Sequence, residues 1–241
     1  HNIYLHIYIM CYSFESSMRT SFMSLIAIII LINSSAPKYI WLGFTLIGWC
    51  AMQFAEGLLW LTDPKKGCSE TNKFITKYLI PLTLILQPLT SLYGYGYITK
   101  YKNLTKNETR FFVFYTIFIL CLVIGWFNIP LDKTDCTIIT KKGHLYWVGK
   151  YPPSKTLSVL HPIATLIWGL LISLPIIIFW RNPILSITLK DLLLIFPIPL
   201  YGMIKGLQSE SIASVWCYVT SYSSMWFVFL LFLHKNGIKL L

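Results

Sequence analysis

The chain has 241 residues, of which 56% are hydrophobic and 12% are charged. A soluble globular domain carries roughly 25% charged residues, so this composition excludes a soluble protein that covers its apolar core with polar side chains. A bundle of membrane-spanning helices of roughly 20 residues each has room for about seven crossings at this length. No space is left for a separate soluble domain.

The net charge of +11 comes from 20 Lys and Arg residues against 9 Asp and Glu residues. Most of the basic residues fall in the short connections between apolar stretches, where they set the topology and contact lipid headgroups. We therefore expect the lipid bilayer as a partner of this chain, and we do not expect a nucleic acid.

Residues 1–9 differ from the rest of the chain. They contain no Met, no charged segment and no cleavage pattern of a signal peptide. We expect Met10 to be the natural start, residues 1–9 to be a disordered or non-native tail, and residues 10–241 to form one transmembrane domain.

Apolar runs separated by polar or proline-containing connections predict an all-α, polytopic membrane protein with about seven transmembrane helices in one bundle. In chain order, the predicted helices are 17–33, 39–61, 78–98, 111–129, 157–180, 190–204 and 212–233. Pro197 and Pro199 interrupt the sixth helix and predict a kink there. The connection 131–155 is the longest and includes the β-prone segment 146–148, which predicts a small hairpin or lid.

Seven crossings place alternate connections on opposite membrane faces. We call face A the one that holds the N-terminal end of the first helix and the connections 62–77, 130–156 and 205–211, and face B the opposite one. The 20 Lys and Arg residues divide almost equally between the faces, so the positive-inside rule does not decide the orientation.

Two cysteines favour one orientation. Cys68 and Cys136 both lie in connections on face A, which predicts a disulfide of the kind that persists in oxidising compartments. Face A and the N-terminus would then be extracytoplasmic and the C-terminus cytoplasmic. Two unrelated loop thiols are the alternative, and the glycosylation acceptors at Asn103 and Asn107 on face B argue against this orientation.

The second helix has polar side chains along one face. Cys50, Gln53, Glu56 and Trp60 are spaced by three, three and four residues, which places them on one stripe. A carboxylate at this depth must be paired, hydrated or protonated, so Glu56 is the strongest candidate for a ligand contact. Gln53 is a second candidate, with a structural interhelical hydrogen bond worth about 0.6 kcal/mol as the alternative.

The last helix has a matching stripe. It consists of Glu210, Ser214, Cys217, Ser221 and Ser224, spaced by four, three, four and three residues. Because polar faces avoid lipid, we expect the two stripes to face each other. For Ser214 and Ser221 the alternative is again a structural hydrogen bond between helices.

Polar side chains of other helices complete the set of candidate ligand contacts, namely Glu15, Gln87 and His161. Apart from Gln87, which lies near the middle of the membrane, the candidates fall in the half next to face A and predict one polar site that opens there. For Glu15, the alternative to a ligand contact is an ion pair with Arg19, one turn further along the helix. For His161, which directly precedes Pro162, the alternative to a ligand contact is a hydrogen bond from its imidazole to nearby backbone.

Three short motifs resemble an uncharacterised family of bacterial, algal and giant-virus membrane proteins. Residues 10–17, Met-Cys-Tyr-Ser-Phe-Glu-Ser-Ser, resemble the family's opening Met-Cys-Phe-Ser-Ala-x-Ala-Ser, with Phe14 in place of a small residue. Residues 53–60 match its Gln-x-x-Glu-Gly-x-x-Trp element, and Trp216 with Cys217 resembles its Trp-Cys element. The resemblance supports Met10 as the start and implies no activity. Since it marks Cys11 and Cys217, we expect these two residues to lie near each other.

Better-known seven-helix families match poorly. The last helix has no Lys for a rhodopsin Schiff base, and G-protein-coupled receptor signatures are absent. His161 is the one His within the predicted helices, whereas the zinc hydrolases related to alkaline ceramidases need three. No Gly-x-Ser-x-Gly element is present. We therefore expect no metal and no cofactor.

These patterns predict an integral membrane protein that binds or transports a small polar or cationic solute in a pocket open to face A. Gln53 and Glu56 would be the principal contacts, and Glu15, His161 and Glu210 would line the mouth. One alternative is a membrane-embedded hydrolase or transferase acting on lipid, with Glu56 as base and His161 as acid or orienting group. Another is a structural protein of a virion or organelle membrane.

Overall fold

The structure is a computed structural model that describes residues 13–128, 136–141, 143–147, 155–179, 182–207 and 212–238, except for the side chains of 126, 155–165 and 212–213. Within these ranges the chain is mostly helical. The elements in chain order are α1 Phe14–Ile32, α2 Pro37–Leu61, α3 Glu70–Phe74, a π-helical turn Ile75–Leu79, α4 Ile80–Ile98, α5 Lys106–Phe127, β1 Ile138–Ile139, β2 Leu145–Tyr146, α6 Lys155–Phe179, α7 Leu189–Ile195, α8 Pro197–Leu207, α9 Ile212–Ser221 and α10 Ser223–Lys235.

Several helical segments have the length and apolar composition needed to cross a membrane. In the described ranges these are Phe14–Ile32, Pro37–Leu61, Lys106–Gly125 and Ser214–Lys235. The last of them joins α9 and α10 across Tyr222, and Leu166–Phe179 is a shorter apolar segment. The helical, membrane-type character predicted from composition is therefore confirmed, whereas the number of seven crossings stays a prediction.

Some helix ends differ from the predicted ones because of local capping and proline. The third predicted helix begins at Glu70, not 78, since the hydroxyl of Ser69 accepts a hydrogen bond from the backbone N–H of Asn72. A proline ring clashes with the carbonyl four residues earlier, and the wider π-helical turn before Pro81 gives it room. The break between α7 and α8, just before Pro197, matches the predicted kink.

Helix α2 is the most buried of these four segments and packs mainly against α1 and α4, and also against α9. Leu46, Met52 and Leu59 of α2 have no exposed surface. Helix α5 is the opposite case, because large apolar side chains such as Phe114 are exposed along it. An exposed apolar helix face of this kind suits contact with lipid tails and not with water.

Backbone contact between α2 and α4 depends on a glycine. A Cβ atom added at Gly48 would lie 2.5 Å from the Cα atom of Gln87, so only glycine permits this spacing between the two helices. A hydrogen bond of 2.8 Å from the indole nitrogen of Trp41 to the carbonyl oxygen of Ser91 joins the same two helices nearer face B.

The face B ends of α4, α5 and α6 are held together by a polar contact. The hydroxyl of Tyr95 donates to Oε1 of Glu108 at 2.6 Å, and Nδ2 of Asn182, just after α6, donates to the same oxygen at 3.1 Å. The ring of Tyr95 also stacks on Phe179, with ring centroids 3.9 Å apart. These contacts lie at one end of the apolar cluster that includes Leu92, Ile119 and Ile176.

The connection after α5 contains the predicted small hairpin. Strands β1 and β2 pair antiparallel, with Ile138 opposite Tyr146. Cys136, two residues before β1, forms a disulfide with Cys68, and the two Cα atoms are 5.8 Å apart, within the usual range for a disulfide. The predicted cysteine pair is thus confirmed, and it fastens the hairpin to the segment that leads into α3.

We predict that the disulfide can be read from thiol labelling of the unreduced, denatured protein. Replacing either Cys68 or Cys136 with Ser should raise the number of alkylated cysteines by one, because the remaining cysteine of the pair becomes a free thiol. Replacing the exposed free Cys121 with Ser should lower it by one. Intact mass spectrometry after alkylation gives the counts, and a fall by one in all three variants would contradict the pairing.

We also predict that Gly48→Ala lowers the free energy of unfolding by about 2 kcal/mol, because overpacking against a backbone that cannot yield costs roughly 1–3 kcal/mol. Gly57→Ala, on the same helix, is the matched control. Its new Cβ atom would meet Sδ of Met18 at 2.7 Å, the end of a flexible side chain that can move away. Thermal or denaturant unfolding in detergent compares the two variants, and equal losses would contradict the backbone contact.

Candidate functional site

Glu56 lies in the C-terminal half of α2 and has no exposed surface. Its Oε2 accepts a hydrogen bond of 2.9 Å from Nε2 of Gln53, which is one turn earlier and equally buried. The spacing of three residues places both side chains on one face of the helix. The burial of Glu56 and its contact with Gln53 are therefore as predicted, and their role in ligand binding stays a prediction.

Three further side chains reach the carboxyl group of Glu56 from other elements. Ser214 of α9 and Trp147, which follows β2, both approach it. Cys217, one turn beyond Ser214, is near enough to interact with it electrostatically. Helices α2 and α9 and the hairpin therefore meet at this carboxyl group, which we call, together with Gln53 and these three residues, the Glu56 cluster.

Gln87 extends the Glu56 cluster to α4 and α6. Its Nε2 is 3.5 Å from Sγ of Cys217, and its Oε1 accepts a hydrogen bond of 3.2 Å from the indole nitrogen of Trp168. Gln87 has no exposed surface, so its amide satisfies polar groups of two other helices inside the bundle. The close approach of α2 at Gly48 is what brings this residue to the centre of the molecule.

The donors around the Glu56 cluster do not satisfy all of its acceptors with full hydrogen-bond geometry. The hydroxyl of Ser214 and the indole N–H of Trp147 approach the carboxyl group of Glu56, yet within the described ranges neither Oε1 of Glu56 nor Oε1 of Gln53 accepts a hydrogen bond of full geometry. The ion pairs of the same ranges all lie elsewhere, and none involves Glu56. Buried polar atoms are normally paired, so several unpaired atoms together indicate a place for a partner that is not part of the chain.

The unpaired acceptor oxygens indicate which kind of ligand the Glu56 cluster suits. An isolated carboxylate in an apolar interior costs several kcal/mol unless a counter-charge or hydrogen-bond donors compensate for it. Oε1 of Glu56 and Oε1 of Gln53 can supply acceptors to a cation, and the indole of Trp147 can supply an aromatic face. The arrangement thus suits a bound cation or hydrogen-bond donor as ligand.

Other residues of the two polar stripes contact α1. The hydroxyl of Ser24 on α1 donates to the backbone carbonyl oxygen of Ser221 and to Oγ of Ser224, both at 3.3 Å, and the hydroxyl of Ser221 donates to the carbonyl oxygen of Tyr218 in its own helix. Cys50 likewise contacts Ser21 of α1. The physical reason is that α1 packs against both α2 and α10.

Of the remaining predicted site residues, only Glu15 has a described side chain, and it does not belong to the cluster. Glu15 is exposed in the first turn of α1. The side chain of His161 and the whole of Cys11 and Glu210 lie outside the described residues, so their predicted positions near the mouth, and the predicted approach of Cys11 to Cys217, stay predictions.

A second polar network holds the hairpin in place beneath the disulfide. The side chain of Asn72 in α3 donates to the carbonyl oxygen of Thr137 at 3.0 Å and accepts from its backbone N–H at 2.9 Å. Oγ1 of Thr76 and Oγ1 of Thr137 are 2.7 Å apart. Because Asn72 is fully buried, these bonds fix the start of the hairpin that carries Trp147 toward Glu56.

Sequence reasoning did not assign Trp147, Trp168 or Asn72 to the site. For Trp168 a signal was present, because an indole N–H within an apolar helix needs an acceptor and Gln87 was the polar residue nearest the membrane centre. For Trp147 and Asn72 no local signal exists, since their positions depend on where the disulfide holds the hairpin.

Comparison with family models, with curated proteins and with solved structures gives no match. The resemblance to the uncharacterised membrane-protein family therefore stays a prediction. Within the described ranges no group of three His, Cys, Asp or Glu residues has the geometry to hold a metal ion. The function must accordingly be inferred from the Glu56 cluster itself.

We predict that Asn72→Ala lowers the free energy of unfolding by about 1–3 kcal/mol, because it leaves the buried carbonyl oxygen of Thr137 without its donor and an unpaired buried group costs roughly that much. The backbone N–H of Thr137 keeps Oγ1 of Thr76 as an acceptor. Asn103→Ala, an exposed position in the connection between α4 and α5, is the control and should change it by less than about 0.5 kcal/mol. Denaturant unfolding in detergent measures both, and a neutral effect at position 72 would contradict the bracing role of this side chain.

Proposed function

We propose that this chain is a seven-helix integral membrane protein that binds or passes a small polar or cationic solute at the Glu56 cluster, with access from face A. Glu56 would supply the charge or acceptor that the solute needs, and Gln53 would hold the carboxyl group in place and offer its own oxygen. Ser214 and Cys217 would form the opposite wall.

One observation carries this proposal. A fully buried carboxyl group, Glu56, has no ion pair in the described ranges, and its Oε1 lacks a hydrogen bond of full geometry although Ser214 and Trp147 approach it. Oε1 of Gln53 beside it is likewise unpaired. A purely structural hydrogen bond between helices would use these atoms, because leaving them unpaired in an apolar bundle is costly. A cationic or donor-rich solute would compensate for both oxygens at once.

Trp147 supports access from face A and a preference for cations. It stands in the hairpin of the 136–147 connection, so a solute that enters from that side meets its indole before reaching the carboxyl group. Indole rings attract cations through their electron-rich faces. Trp60 and Trp216 border the same apolar cluster, so aromatic rings approach the site from three elements.

The disulfide supports one orientation for this site. Cys68 and Cys136 lie on face A, and disulfides persist where the surroundings are oxidising. We therefore propose that face A, and with it the opening of the Glu56 cluster, is extracytoplasmic. The C-terminal end of α10 would then be cytoplasmic. The alternative of a lipid hydrolase depends on His161, whose side chain is outside the described residues, and stays a prediction.

The proposal is tested with choline and its neutral isostere 3,3-dimethylbutan-1-ol on the purified protein in lipid nanodiscs. We predict that choline raises the unfolding temperature, since a ligand at one hundred times its Kd stabilises by about 2.7 kcal/mol, and that the neutral isostere does so less. In Glu56→Gln the side-chain volume is kept and the charge is lost, so the choline effect should weaken at least tenfold in apparent affinity, about 1.4 kcal/mol.

Glu15→Gln is the matched control, because it removes an exposed carboxylate from the first turn of α1 and should leave the choline effect unchanged. Glu56→Leu should also lower the stability of the ligand-free protein, since Nε2 of Gln53 loses its acceptor. If the Glu56→Gln and Glu15→Gln variants respond to choline alike, the site lies elsewhere.

A further inference from the structure

The indole N–H groups of this protein differ in whether they have an acceptor. Within the described ranges, four of them donate a hydrogen bond to another residue, namely those of Trp41, Trp168, Trp216 and Trp226. The indole of Trp147 approaches the carboxyl group of Glu56. The buried N–H groups of Trp49 and Trp60 have no partner in the same ranges. A buried indole N–H usually finds an acceptor, so these two positions need an explanation.

Both indoles lie on the stripe of α2 that carries the Glu56 cluster. The stripe consists of Trp49, Gln53, Glu56 and Trp60, spaced by four, three and four residues, and this spacing places the four side chains on one face of the helix. Each of them has a buried polar atom that lacks a full hydrogen bond within the part of the chain that the structure describes. Two donors therefore flank two acceptor oxygens. A bare cation would use only the oxygens and would leave the donors unpaired.

Trp60 is the donor on the side from which a solute would enter. It lies in the last turn of α2, where the helix ends at face A, and packs against the apolar cluster that contains Trp147. It follows Glu56 by one helical turn, a rise of about 6 Å. Trp49 belongs instead to an apolar cluster with Phe227, farther from face A. A solute held at Glu56 therefore meets the N–H of Trp60 on its outer side.

The charge of the site limits what kind of acceptor the solute can carry. Glu56 supplies one carboxyl group, and none of the ion pairs in the described ranges involves it, so one monovalent cation neutralises the site. A solute that also carried a carboxylate would bring a second negative charge into the bundle, and an uncompensated buried charge is strongly unfavourable. The N–H of Trp60 therefore suits a neutral oxygen, such as that of an ether, an ester or an alcohol.

We propose that the solute of the Glu56 cluster is a small monovalent cation that also carries a neutral oxygen acceptor, and that the indole N–H of Trp60 donates a hydrogen bond to this oxygen. The proposal rests on the binding function proposed above and narrows its substrate class. The cationic group lies against Oε1 of Glu56 and Oε1 of Gln53, and the acceptor oxygen points toward face A. Because an indole N–H donates and cannot accept, it distinguishes an oxygen from a methylene group of the same size.

O-methylcholine and n-butyltrimethylammonium test this proposal on the full chain in lipid nanodiscs. The two cations have the same charge and nearly the same shape, but only the first has an ether oxygen, which accepts a hydrogen bond and cannot donate one. The ratio of their affinities, measured by isothermal titration calorimetry, reports this hydrogen bond. The wild type should bind O-methylcholine about threefold more tightly or better, as expected for one hydrogen bond. Trp60→Phe keeps an aromatic ring and loses the N–H, so the preference should disappear.

Trp226→Phe is the matched control, because the indole N–H of Trp226 already donates to the carbonyl oxygen of Leu194, and the preference should survive. A measurement without any substitution guards against misfolding of Trp60→Phe. In the wild type, the indole NMR signal of Trp60 should shift more with O-methylcholine than with n-butyltrimethylammonium, because only the ether oxygen accepts from this N–H. Equal shifts would count against the proposal.

The outcomes separate this proposal from the binding function on which it rests. Equal affinities of the two cations for the wild type, both weakened in Glu56→Gln, would overturn the role of the acceptor oxygen and leave the cation site in place. A preference that is lost in Trp49→Phe or Trp226→Phe but kept in Trp60→Phe would overturn the assignment of the donor. If neither cation binds to the wild type, both proposals are wrong.

Discussion

The carboxyl group of Glu56 imposes the constraint on which the centre of this protein depends. It is carried by α2, the most buried of the four candidate membrane spans, to a position with no exposed surface and no ion pair among the described residues. Other helices must therefore bring donors to it or tolerate unpaired atoms. Gln53 is in place through helix spacing alone, whereas Ser214 and Gln87 reach the centre only because α9 and α4 pack closely on α2. Gly48 permits the closest of these approaches.

A disulfide and a set of hydrogen bonds in the connections outside the long helices help to position a residue at this centre. The bond between Cys68 and Cys136 and the contacts of Asn72 with Thr137 fix the start of the hairpin at two points. A short two-stranded hairpin is not stable by itself in water, so its position is set by these fastenings and not by its own strands. The consequence is functional, because Trp147 at the end of the hairpin approaches Glu56. The disulfide and the contacts of Asn72 thus help to position an indole next to the buried carboxyl group of Glu56.

Sequence reasoning succeeded where a pattern is local and failed where packing decides. Helical spacing was enough to place Gln53 and Glu56 on one face, because period 3.6 holds within any helix. It could not show that Ser224 would contact Ser24 of α1, since the order of helices around a bundle is set by tertiary packing. The cysteine pair was predictable because two thiols outside the apolar runs have few other roles. The position of Trp147 was not, because it depends on the hairpin that this pair holds.

The two ends of α2 have opposite chemistry, and the length of the helix keeps them apart. Lys38 pairs with Asp191 at the start of α7, and Glu56 belongs to the central cluster, eighteen residues further along the same helix. A rise of 1.5 Å per residue separates the two side chains by about 27 Å, far beyond the roughly 10 Å within which substitutions usually couple. Lys38 is therefore too far from Glu56 to act as its counter-charge, and Asp191 neutralises it at the other end of the helix. The carboxyl group of Glu56 must be compensated by groups that other elements bring to the C-terminal half of α2.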